Sequence, residues 1–439
     1  MSKSLLRFVD FRSGIPSARE INNLVPRAGF SIDNALSQVA PIIDSVSSSG
    51  EAALVELTQK FDGFDPRPIR VSASELAAAL AGLSSELRES LETAIERVRL
   101  VSLTNLPENT TTELAEDALV HQRWVPVEAV GLYVPGGKAV YPSSVVMNVV
   151  PAQVAGVQRL VIATPGQKAF GGRPHPTVLA AAALLGVDEV YNVGGPAGIA
   201  AMALGVKTIG LEPVSMITGP GNTYVTAAKR ALRGVVGIDS EAGTTEILII
   251  ADASANPEFV AADLLSQAEH DEAAASVLVT DSTELAEAVQ VALAARASQT
   301  LHSERATVAL TGTQSAIVLV SSLDDAVVVA NAYATEHLEI QVQDPHSVLS
   351  QIKNAGAVFL GPYSPVSLGD YMAGSNHVLP TSGNARFGAG LSVHTFLRAQ
   401  QVIDYGRGGL EAVAERVERL AGEEGLPAHF EAIAARFES

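Results

Sequence analysis

The sequence predicts an α/β protein that contains two parallel β-sheets. From about residue 128, short apolar runs typical of strands alternate with alanine-rich runs that have helical spacing, and a second series of the same kind begins near residue 240. Parallel strands need crossover connections, which are usually helices. At 439 residues the chain is also too long for one ordinary core. We therefore expect two sheet domains that meet near residue 240.

The region before the first strands is predicted to be mostly helical. Residues 28–105 include SASELAAALAGLSSELRESLETAIERVR, which starts at Ser72 and has apolar residues three and four apart. After residue 128, the strand-like runs RLVIAT and EVYNVGG alternate with the helical runs PTVLAAAALLGV and PAGIAAMALG. This order predicts the first parallel sheet.

The second series of strands and helices begins within residues 235–252. A helix is predicted over 257–270, because Asn256 is a favoured N-cap residue and Pro257 a favoured first residue. The strand-like runs ASVLVT, SAIVLV, HLEIQV and AVFLG follow, with helical runs between them. Residues 361–390 show little periodicity, and so long a stretch in a compact protein is usually functional. The tail is predicted to form two amphipathic helices.

Composition and charge exclude several classes of function. The chain has 29 lysine and arginine residues against 48 aspartate and glutamate residues, a net charge of −19. Nucleic acids and anionic membranes bind basic surfaces, so we expect neither as a partner. Cysteine is absent, so any metal must be held by nitrogen and oxygen ligands. We find no signal peptide and no apolar run of the roughly 18–20 residues that span a bilayer, and the cytoplasm is the expected location.

The segment SQAEHDE contains a candidate metal site at the end of an apolar helix. Gln267 and His270 are three residues apart, which places both side chains on one face of the helix. The alternative is a solvated helix end, where a histidine complements the helix dipole. Glutamine is a weak, neutral oxygen ligand. On these residues alone both interpretations stay open.

Two adjacent acid–base groups occur in the segment TEHL. Glu336 and His337 lie at the predicted junction between a helix and a strand. Neighbours in a regular strand point to opposite faces, so both side chains can serve one site only if the junction is a turn. The alternative is that they are half-exposed junction residues.

Other candidate residues lie in the irregular stretch and in the tail. Asp370 and His377 are seven residues apart among small residues that allow close approach of a ligand, which favours a site. His429 lies between the two tail helices and on its own is expected to be structural or exposed. The glycine-rich elements at 132–142, 193–198 and others could bind phosphate through backbone N–H groups, although G-x-G-x-x-G is missing.

Taken together, six motifs resemble the histidinol dehydrogenase family. They are VGLYVPGGKAVYPSSVVMN, ITGPGNTYVTAAKR, GIDSEAGTTEILIIAD, DLLSQAEHDE, ATEHLEI and SPVSLGDYMAGSNHVLPTSG, in this order. The resemblance covers nearly the whole chain. It implies NAD-dependent, zinc-assisted oxidation of L-histidinol to L-histidine through the aldehyde, by two successive hydride transfers.

The resemblance also implies an architecture of two incomplete Rossmann-like domains in a homodimer with shared active sites. Small terminal segments would be exchanged between the subunits. Residues 1–27 would form a dimerisation segment. A first Rossmann-like domain would comprise residues 28–110 and 247–391, and a second one residues 111–246. Residues 392–439 would form a helical tail that reaches the partner.

Site residues follow from the same resemblance. The zinc ligands would be four residues, the last one supplied by the partner subunit: Gln267, His270, Asp370 and His429. The catalytic pair would be His337 as general base and Glu336 as the group that activates water. The zinc ligands and His337 would also contact the substrate, together with Thr245 and Glu424. Tyr133 and Asn222 would contact NAD. No role follows for His377.

This chain departs from the family pattern at two positions. Thr244 replaces a proline, and Ala197 replaces a glutamine that contacts NAD, but the positions of the catalytic pair and of the zinc ligands are intact. One alternative is a related dehydrogenase of another amino alcohol or a sulfonated alcohol, against which the presence of Thr245, Glu424 and His429 argues. Another is a non-catalytic metal- or nucleotide-binding protein, which would need no catalytic pair.

Overall fold

The computed structural model describes residues 4–28, 32–136 and 140–438. Seventeen α-helices are found in these ranges, several of them opened by a serine or asparagine that caps the first turn. The helices are α1 (Ala18–Leu24), α2 (Ile32–Ser49), α3 (Glu51–Phe61), α4 (Ala73–Ala81), α5 (Ser85–Thr104), α6 (Pro142–Ala155), α7 (Pro176–Leu184), α8 (Gly195–Leu204), α9 (Thr223–Leu232), α10 (Pro257–Ala268), α11 (Thr283–Ala297), α12 (Ser303–Thr311), α13 (Leu323–Tyr333), α14 (Pro345–Leu349), α15 (Val366–Tyr371), α16 (Arg407–Glu423) and α17 (Pro427–Ala434).

Fourteen strands in the described part of the chain form three sheets. The strands are β1 (Arg7–Asp10), β2 (Thr110–Ala115), β3 (Ala118–Pro126), β4 (Ala129–Tyr133), β5 (Arg159–Thr164), β6 (Glu189–Asn192), β7 (Met216–Thr218), β8 (Gly237–Ile238), β9 (Glu246–Ala251), β10 (Ala275–Thr280), β11 (Ala316–Leu319), β12 (His337–Gln341), β13 (Ala357–Leu360) and β14 (Leu397–Tyr405).

The five-stranded sheet is parallel and has the order β6-β5-β4-β7-β8. Successive side chains of β4 enter two different cores: Val130 and Leu132 pack against α6 and α7, whereas Ala129 and Tyr133 belong to the core that includes α2, α8 and α9. Helices therefore cover both faces, which explains why β4 is apolar throughout.

The six-stranded sheet is also parallel and has the order β1-β11-β10-β9-β12-β13. Its central strand β9 likewise divides its side chains between two cores, with Ile247 and Ile249 on one face and Leu248 and Ile250 on the other. The predicted α/β class with parallel sheets is confirmed. The change of sheet falls between β8 and β9, as the sequence predicted near residue 240.

A three-stranded antiparallel sheet, β14-β3-β2, was not predicted from the sequence. β14 pairs with β3 along its full length, although most of its side chains are exposed. Neither β2 nor β14 shows the apolar alternation of a half-buried strand. Residues 7–10, within the predicted dimerisation segment 1–27, form an edge strand of the six-stranded sheet. The four-segment division of the chain stays a prediction.

Two local predictions are confirmed by the structure. The helix expected at 257–270 is α10, and the Asn256 side chain accepts the N–H of Glu258 at 2.9 Å. The tail forms α16 and α17, with a break at residues 424–426 between them. His429, which was expected between the two helices, lies instead within the first turn of α17. Within the described residues, no helix is both long and apolar enough to cross a bilayer.

Candidate active site

Polar side chains converge at the amino ends of β9 and β12, which are neighbours in the six-stranded sheet. Helix α13 ends at Tyr333, and Ala334 then adopts a left-handed conformation with φ of 54°. This conformation turns the chain before β12 begins at His337. The predicted junction between helix and strand is therefore a turn, and it brings Glu336 and His337 to the same place.

Both members of this pair bind the backbone of Glu246, the first residue of β9. The Glu246 N–H donates to Oε2 of Glu336 at 3.0 Å, and the Glu246 carbonyl contacts Nδ1 of His337 at 3.2 Å. A carbonyl can only accept, so this contact requires the proton of the neutral ring on Nδ1. The lone pair is then on Nε2, which is buried and has no hydrogen-bond partner among the described residues.

Burial shifts the pKa values of the two groups in opposite directions. It lowers the pKa of His337 below its ordinary value of 6.5, and the negative charge of Asp370 only partly opposes this shift. Burial raises the pKa of Glu336 well above its ordinary value of 4.5, against the hydrogen bonds from Thr245 and Glu246. The imidazole is therefore a neutral base, and the carboxyl binds a proton more tightly than an exposed glutamate does.

A second chain of hydrogen bonds fixes the Gln267 side chain. The Thr245 hydroxyl donates to Oε2 of Glu336 at 2.6 Å and accepts from Nε2 of Gln267 at 2.6 Å. Because the hydroxyl has only one hydrogen, the amide must present its nitrogen to Thr245. Oε1 of Gln267 is consequently directed elsewhere; it is buried and lacks a hydrogen-bond partner in residues 4–28, 32–136 and 140–438.

Two more candidate residues, His270 and His377, lie around Asp370 of α15. Its charge raises the pKa of His270, His337 and His377, and in each ring a stronger effect of burial lowers it. His270 follows the end of α10 and keeps an exposed surface, even though close neighbours reduce its hydration. His377 donates from Nδ1 to the Asp370 carbonyl at 3.1 Å, and its Nε2 contacts the Ser144 hydroxyl at 3.2 Å. This histidine therefore joins the irregular stretch to α6.

The donor set present in this chain fits zinc. It consists of one amide oxygen without a partner, one imidazole and one carboxylate, from Gln267, His270 and Asp370. Zinc accepts nitrogen and oxygen ligands and prefers four of them. In the part of the chain that the structure describes, no group of three His, Cys, Asp or Glu side chains could hold a metal by itself.

The two predicted residues of the tail lie on the surface. Glu424 and His429 are both exposed. Their backbone N–H groups donate only within the tail, to Leu420 and Leu426. Helix α16 packs against α17 and β14. The structure of one chain therefore does not bring these side chains to the pair formed by Glu336 and His337.

The predicted NAD contacts lie at the carboxyl ends of the five-stranded sheet. Tyr133 ends β4, its hydroxyl accepts the N–H of Gly195 at 2.9 Å, and burial raises its pKa to about 12. Asn222 follows β7 and caps α9 by accepting the N–H groups of Tyr224 and Val225. Ligands of open α/β sheets bind at such strand ends. Of the glycine-rich element at 132–142, residues 137–139 lie outside the described residues.

A buried ion pair supports the loop between β7 and α9. Lys229 pairs with Asp239, Nζ of Lys229 donates to the Gly219 carbonyl at 3.1 Å, and Oδ2 of Asp239 accepts the Gly219 N–H at 2.8 Å. Gly219 has φ of +113°, and a Cβ there would lie 2.1 Å from the Tyr133 carbonyl oxygen. Only glycine fits this position.

Two positions depart from the family pattern. Ala197 is buried in α8, and Thr244 is half-buried just before β9.

The side chain of Glu246 and its partner Arg27 were not predicted from the sequence. The guanidinium binds both carboxylate oxygens of Glu246, at 2.6 and 3.1 Å, and lies 4.0 Å from the centre of the Tyr333 ring. It thereby holds the residue whose backbone binds Glu336 and His337. One sequence signal was available, because a glutamate that opens the apolar strand EILIIA must be paired if it is buried.

A family model described as histidinol dehydrogenase matches residues 25–437. The chain belongs to the histidinol dehydrogenase family. The resemblance found in the motifs is confirmed, and the chain is an oxidoreductase.

Curated relatives and a solved structure extend this result. The histidinol dehydrogenase of Leifsonia xyli subsp. xyli is 55% identical over 99% of each chain, and that of Mycolicibacterium smegmatis is 56% identical over 100% of this chain and 99% of the relative. The crystal structure of histidinol dehydrogenase from Elizabethkingia anophelis aligns with a TM-score of 0.94 and 33% identity, covering 100% of this chain and 99% of that chain. The similarity thus includes the fold as well as the sequence.

Proposed function

We propose that the chain is a cytoplasmic enzyme that oxidises L-histidinol to L-histidine through L-histidinaldehyde, with zinc and two molecules of NAD. Membership of the histidinol dehydrogenase family supports the substrate and the reaction. The observation that carries the proposal is the arrangement at Glu246, which holds Glu336 and His337 together and leaves Nε2 of His337 free among the described residues. A buried neutral imidazole is suited to removing the proton of an alcohol.

His337 acts as the general base in both oxidation steps. Its Nε2 takes the hydroxyl proton of the alcohol while a hydride leaves the carbon that carries this hydroxyl. As water adds to the aldehyde, Nε2 gives this proton to the aldehyde oxygen. The ring is then neutral again, and Nε2 takes a proton of the hydrate in the second oxidation. The lowered pKa keeps the ring neutral at the start of each step. The hydrogen bond from Nδ1 to Glu246 keeps the lone pair on the reacting side of the ring.

Glu336 prepares the water that attacks the aldehyde. A carboxylate with a raised pKa is a stronger base than an exposed one, so burial favours this role once the proton has left. Oε2 accepts from both Thr245 and Glu246, and this fixes the carboxyl group next to His337, with 3.6 Å between Oε2 and Nδ1. Thr245 thus orients the Glu336 carboxyl group, and it also belongs to the surface that contacts the substrate.

Three residues of one chain would hold the zinc: Gln267, His270 and Asp370. When bound, zinc orients the imidazole and amino nitrogens of the substrate toward the catalytic pair. The Gln267 amide is already oriented for this purpose, because Thr245 occupies its nitrogen and leaves its oxygen free. Tyr133 and Asn222 at the carboxyl edge of the five-stranded sheet would line the site of NAD, which would supply the hydride acceptor.

The remaining zinc ligand would be His429 of the partner subunit, and Glu424 of the same tail would contact the substrate. The exposure of both side chains supports this proposal. Large apolar side chains are also exposed on the antiparallel sheet and the tail, including Leu114 at 61%, Ile403 at 69% and Leu420 at 66%. Apolar surface of this kind is typical of an interface between subunits.

Mixed dimers test the shared site. Chains that carry His337→Asn and chains that carry His429→Asn are each expected to form inactive homodimers. In a heterodimer, one of the two sites contains neither substitution if the tail crosses to the partner. Activity per heterodimer should therefore return to about half of the wild-type value. Heterodimers that are properly exchanged and still inactive would rule out the crossing.

The stoichiometry of the reaction tests the proposed function. Purified zinc-loaded protein is given limiting L-histidinol with excess NAD, and NADH and L-histidine are measured together. Two NADH per histidinol consumed is the expected result. One NADH with accumulation of the aldehyde would contradict the second oxidation, and no NADH would contradict the substrate. A simple amino alcohol without an imidazole serves as the control and should not react.

A further inference from the structure

A buried cluster of two carboxyl groups and one amide lies next to the site and has no part in the mechanism above. Nε2 of Gln341 donates to Oδ2 of Asp263 at 3.0 Å and to Oε2 of Glu339 at 2.8 Å. Oε1 of Glu339 accepts the N–H of Val366 at 3.0 Å. Glu339 is 1% exposed. The cluster therefore joins α10, β12 and the first residue of α15.

Each of these elements carries a residue of the proposed site a short distance further along. Asp263 is one helical turn before Gln267, and Val366 is one turn before Asp370. Glu339 is two residues after His337, so both side chains leave β12 on the same face. Glu339 is thus the point at which the elements that carry two proposed zinc ligands and the general base are connected.

Burial of two adjacent carboxyl groups costs free energy that an apolar contact would not cost. Burial raises the pKa of Glu339 well above its ordinary value and also raises that of Asp263, and a hydrogen bond joins the two carboxyl groups. One proton shared by the pair avoids two adjacent buried charges. An apolar contact between α10 and β12 would fill the same volume, but it would not fix three elements by directional hydrogen bonds.

We propose that Glu339, with Asp263 and Gln341, is a positioning group that sets α10 and α15 relative to β12. This inference rests on the proposed zinc site. Hydrogen bonds behind metal ligands commonly determine how well the ligands are oriented. If the Glu339 carboxyl is lost, Val366 and Asp263 lose their common partner. Gln267 and Asp370 then no longer hold their relative position, whereas His337 keeps its own hydrogen bond to Glu246.

Zinc affinity of the full-length dimer, measured by competition with a chromophoric chelator, tests the proposal. Glu339→Ala should weaken zinc binding by about 10- to 100-fold, the range typical of lost partners behind metal ligands. Glu339→Gln should stay within about threefold, because the amide oxygen still accepts from Val366 and the amide nitrogen can donate to Asp263, so that only the hydrogen bond accepted from Gln341 is lost. At saturating zinc, Glu339→Ala should raise the KM for histidinol more than it lowers kcat.

Two further variants separate positioning from general stability. Glu189→Ala removes the partner of Arg159 at the amino end of β6, in the other parallel sheet, and should leave zinc affinity unchanged. Gln341→Met keeps both acids and removes only the bridging amide, so it tests the cluster even if Glu339→Ala does not fold. Zinc affinity is expected to fall in Gln341→Met as well, by less than in Glu339→Ala.

The outcomes are distinguishable. If the wild-type dimer does not bind zinc, the proposed function is wrong and this inference is overturned with it. If the wild-type protein binds zinc and oxidises histidinol, but Glu339→Ala and Gln341→Met bind zinc as it does, only the positioning role is overturned. A loss in Glu189→Ala equal to that in Glu339→Ala would also overturn it, because the effect would then follow stability alone.

Discussion

The two parallel sheets present opposite edges to their proposed ligands. In the five-stranded sheet, the candidate NAD residues lie at the carboxyl ends of the strands, where Gly219 and the cap formed by Asn222 shape the loop. In the six-stranded sheet, the candidate catalytic residues lie at the amino ends, where the side chains of Glu336 and His337 are buried around Glu246.

This difference agrees with the role proposed for each edge. The carboxyl ends of parallel strands lead into helix N-termini, whose free N–H groups recognise a cofactor through the backbone. Proton transfer instead needs titratable side chains with shifted pKa values, held by fixed partners in a dry environment. The amino edge of the six-stranded sheet supplies these partners from β9. Substitutions should therefore affect turnover at one edge and cofactor binding at the other.

The largest effect is expected from His337→Asn at the amino edge. Removal of the proposed general base should lower kcat by about 10²- to 10⁴-fold. Zinc content and histidinol affinity should change little, since His337 is proposed to hold a proton and not the metal. Kinetics with metal analysis and calorimetric titration check this result. Loss of zinc from the variant would show that His337 is a ligand.

Arg27→Met should have the next largest effect, on stability. The substitution leaves the Glu246 carboxylate buried without its partner, which typically costs about 3–5 kcal/mol. Chemical denaturation of the purified protein measures the change. The double variant Arg27→Met, Glu246→Gln removes the unpaired charge and should recover part of the loss. No recovery would mean that Arg27 stabilises the chain through its other contacts, which are the stacking on Tyr333 and the hydrogen bonds to the Tyr333 carbonyl and to Asn22.

The pH dependence sharpens the account of the amino edge. Because burial lowers the pKa of His337 below 6.5, the ring should be neutral and protonated on Nδ1 at pH 7. The second proton, which charges the ring, binds more tightly to His337 in the unfolded chain than in the folded one. The contribution of His337 to stability is therefore complete above about pH 6.5 and decreases as the pH falls. Nitrogen-15 NMR of labelled histidines, assigned with His337→Asn, measures both the tautomer and the midpoint. A midpoint above 6.5 would contradict the assignment.

The smallest effect is expected at the carboxyl edge of the five-stranded sheet. Asn222→Ala removes the cap of α9 and should cost about 1 kcal/mol of stability. It should also raise the KM for NAD severalfold with kcat nearly unchanged. Asn222→Asp keeps the cap and separates the two effects, because it should restore stability. An Asn222→Ala variant with normal KM for NAD would remove this residue from the proposed cofactor site.

The fold was predictable where local patterns determine it. Alternating apolar and helical runs indicated both parallel sheets, because their strands are buried on both faces. The strands β1, β2, β3 and β14 were missed. β1 is short, and β3 and β14 pair with each other across a distant part of the chain, whereas β2 pairs with the neighbouring β3 but is exposed along its whole length. No spacing within one segment reports such pairing.

The candidate site was predictable in part for a similar reason. Adjacent or helix-spaced polar residues, such as Glu336 with His337, can be recognised within one motif. The residues that support such a motif come from far along the chain and cannot be recognised in this way. Examples are the pairing of Glu339 with Asp263 and that of Glu246 with Arg27. The alternation of polar residues in HLEIQ was an available signal, because it places His337, Glu339 and Gln341 on one buried face.

The most direct test of the account is the position of the metal in crystals of the zinc-loaded protein. Anomalous scattering recorded on both sides of the zinc absorption edge locates the ion without assumptions about its ligands. The account predicts one peak per site, about 2.0–2.2 Å from Oε1 of Gln267, His270, Asp370 and His429 of the partner subunit, with His337 outside the coordination sphere. A peak bound to His337, or no peak near Gln267, would contradict it.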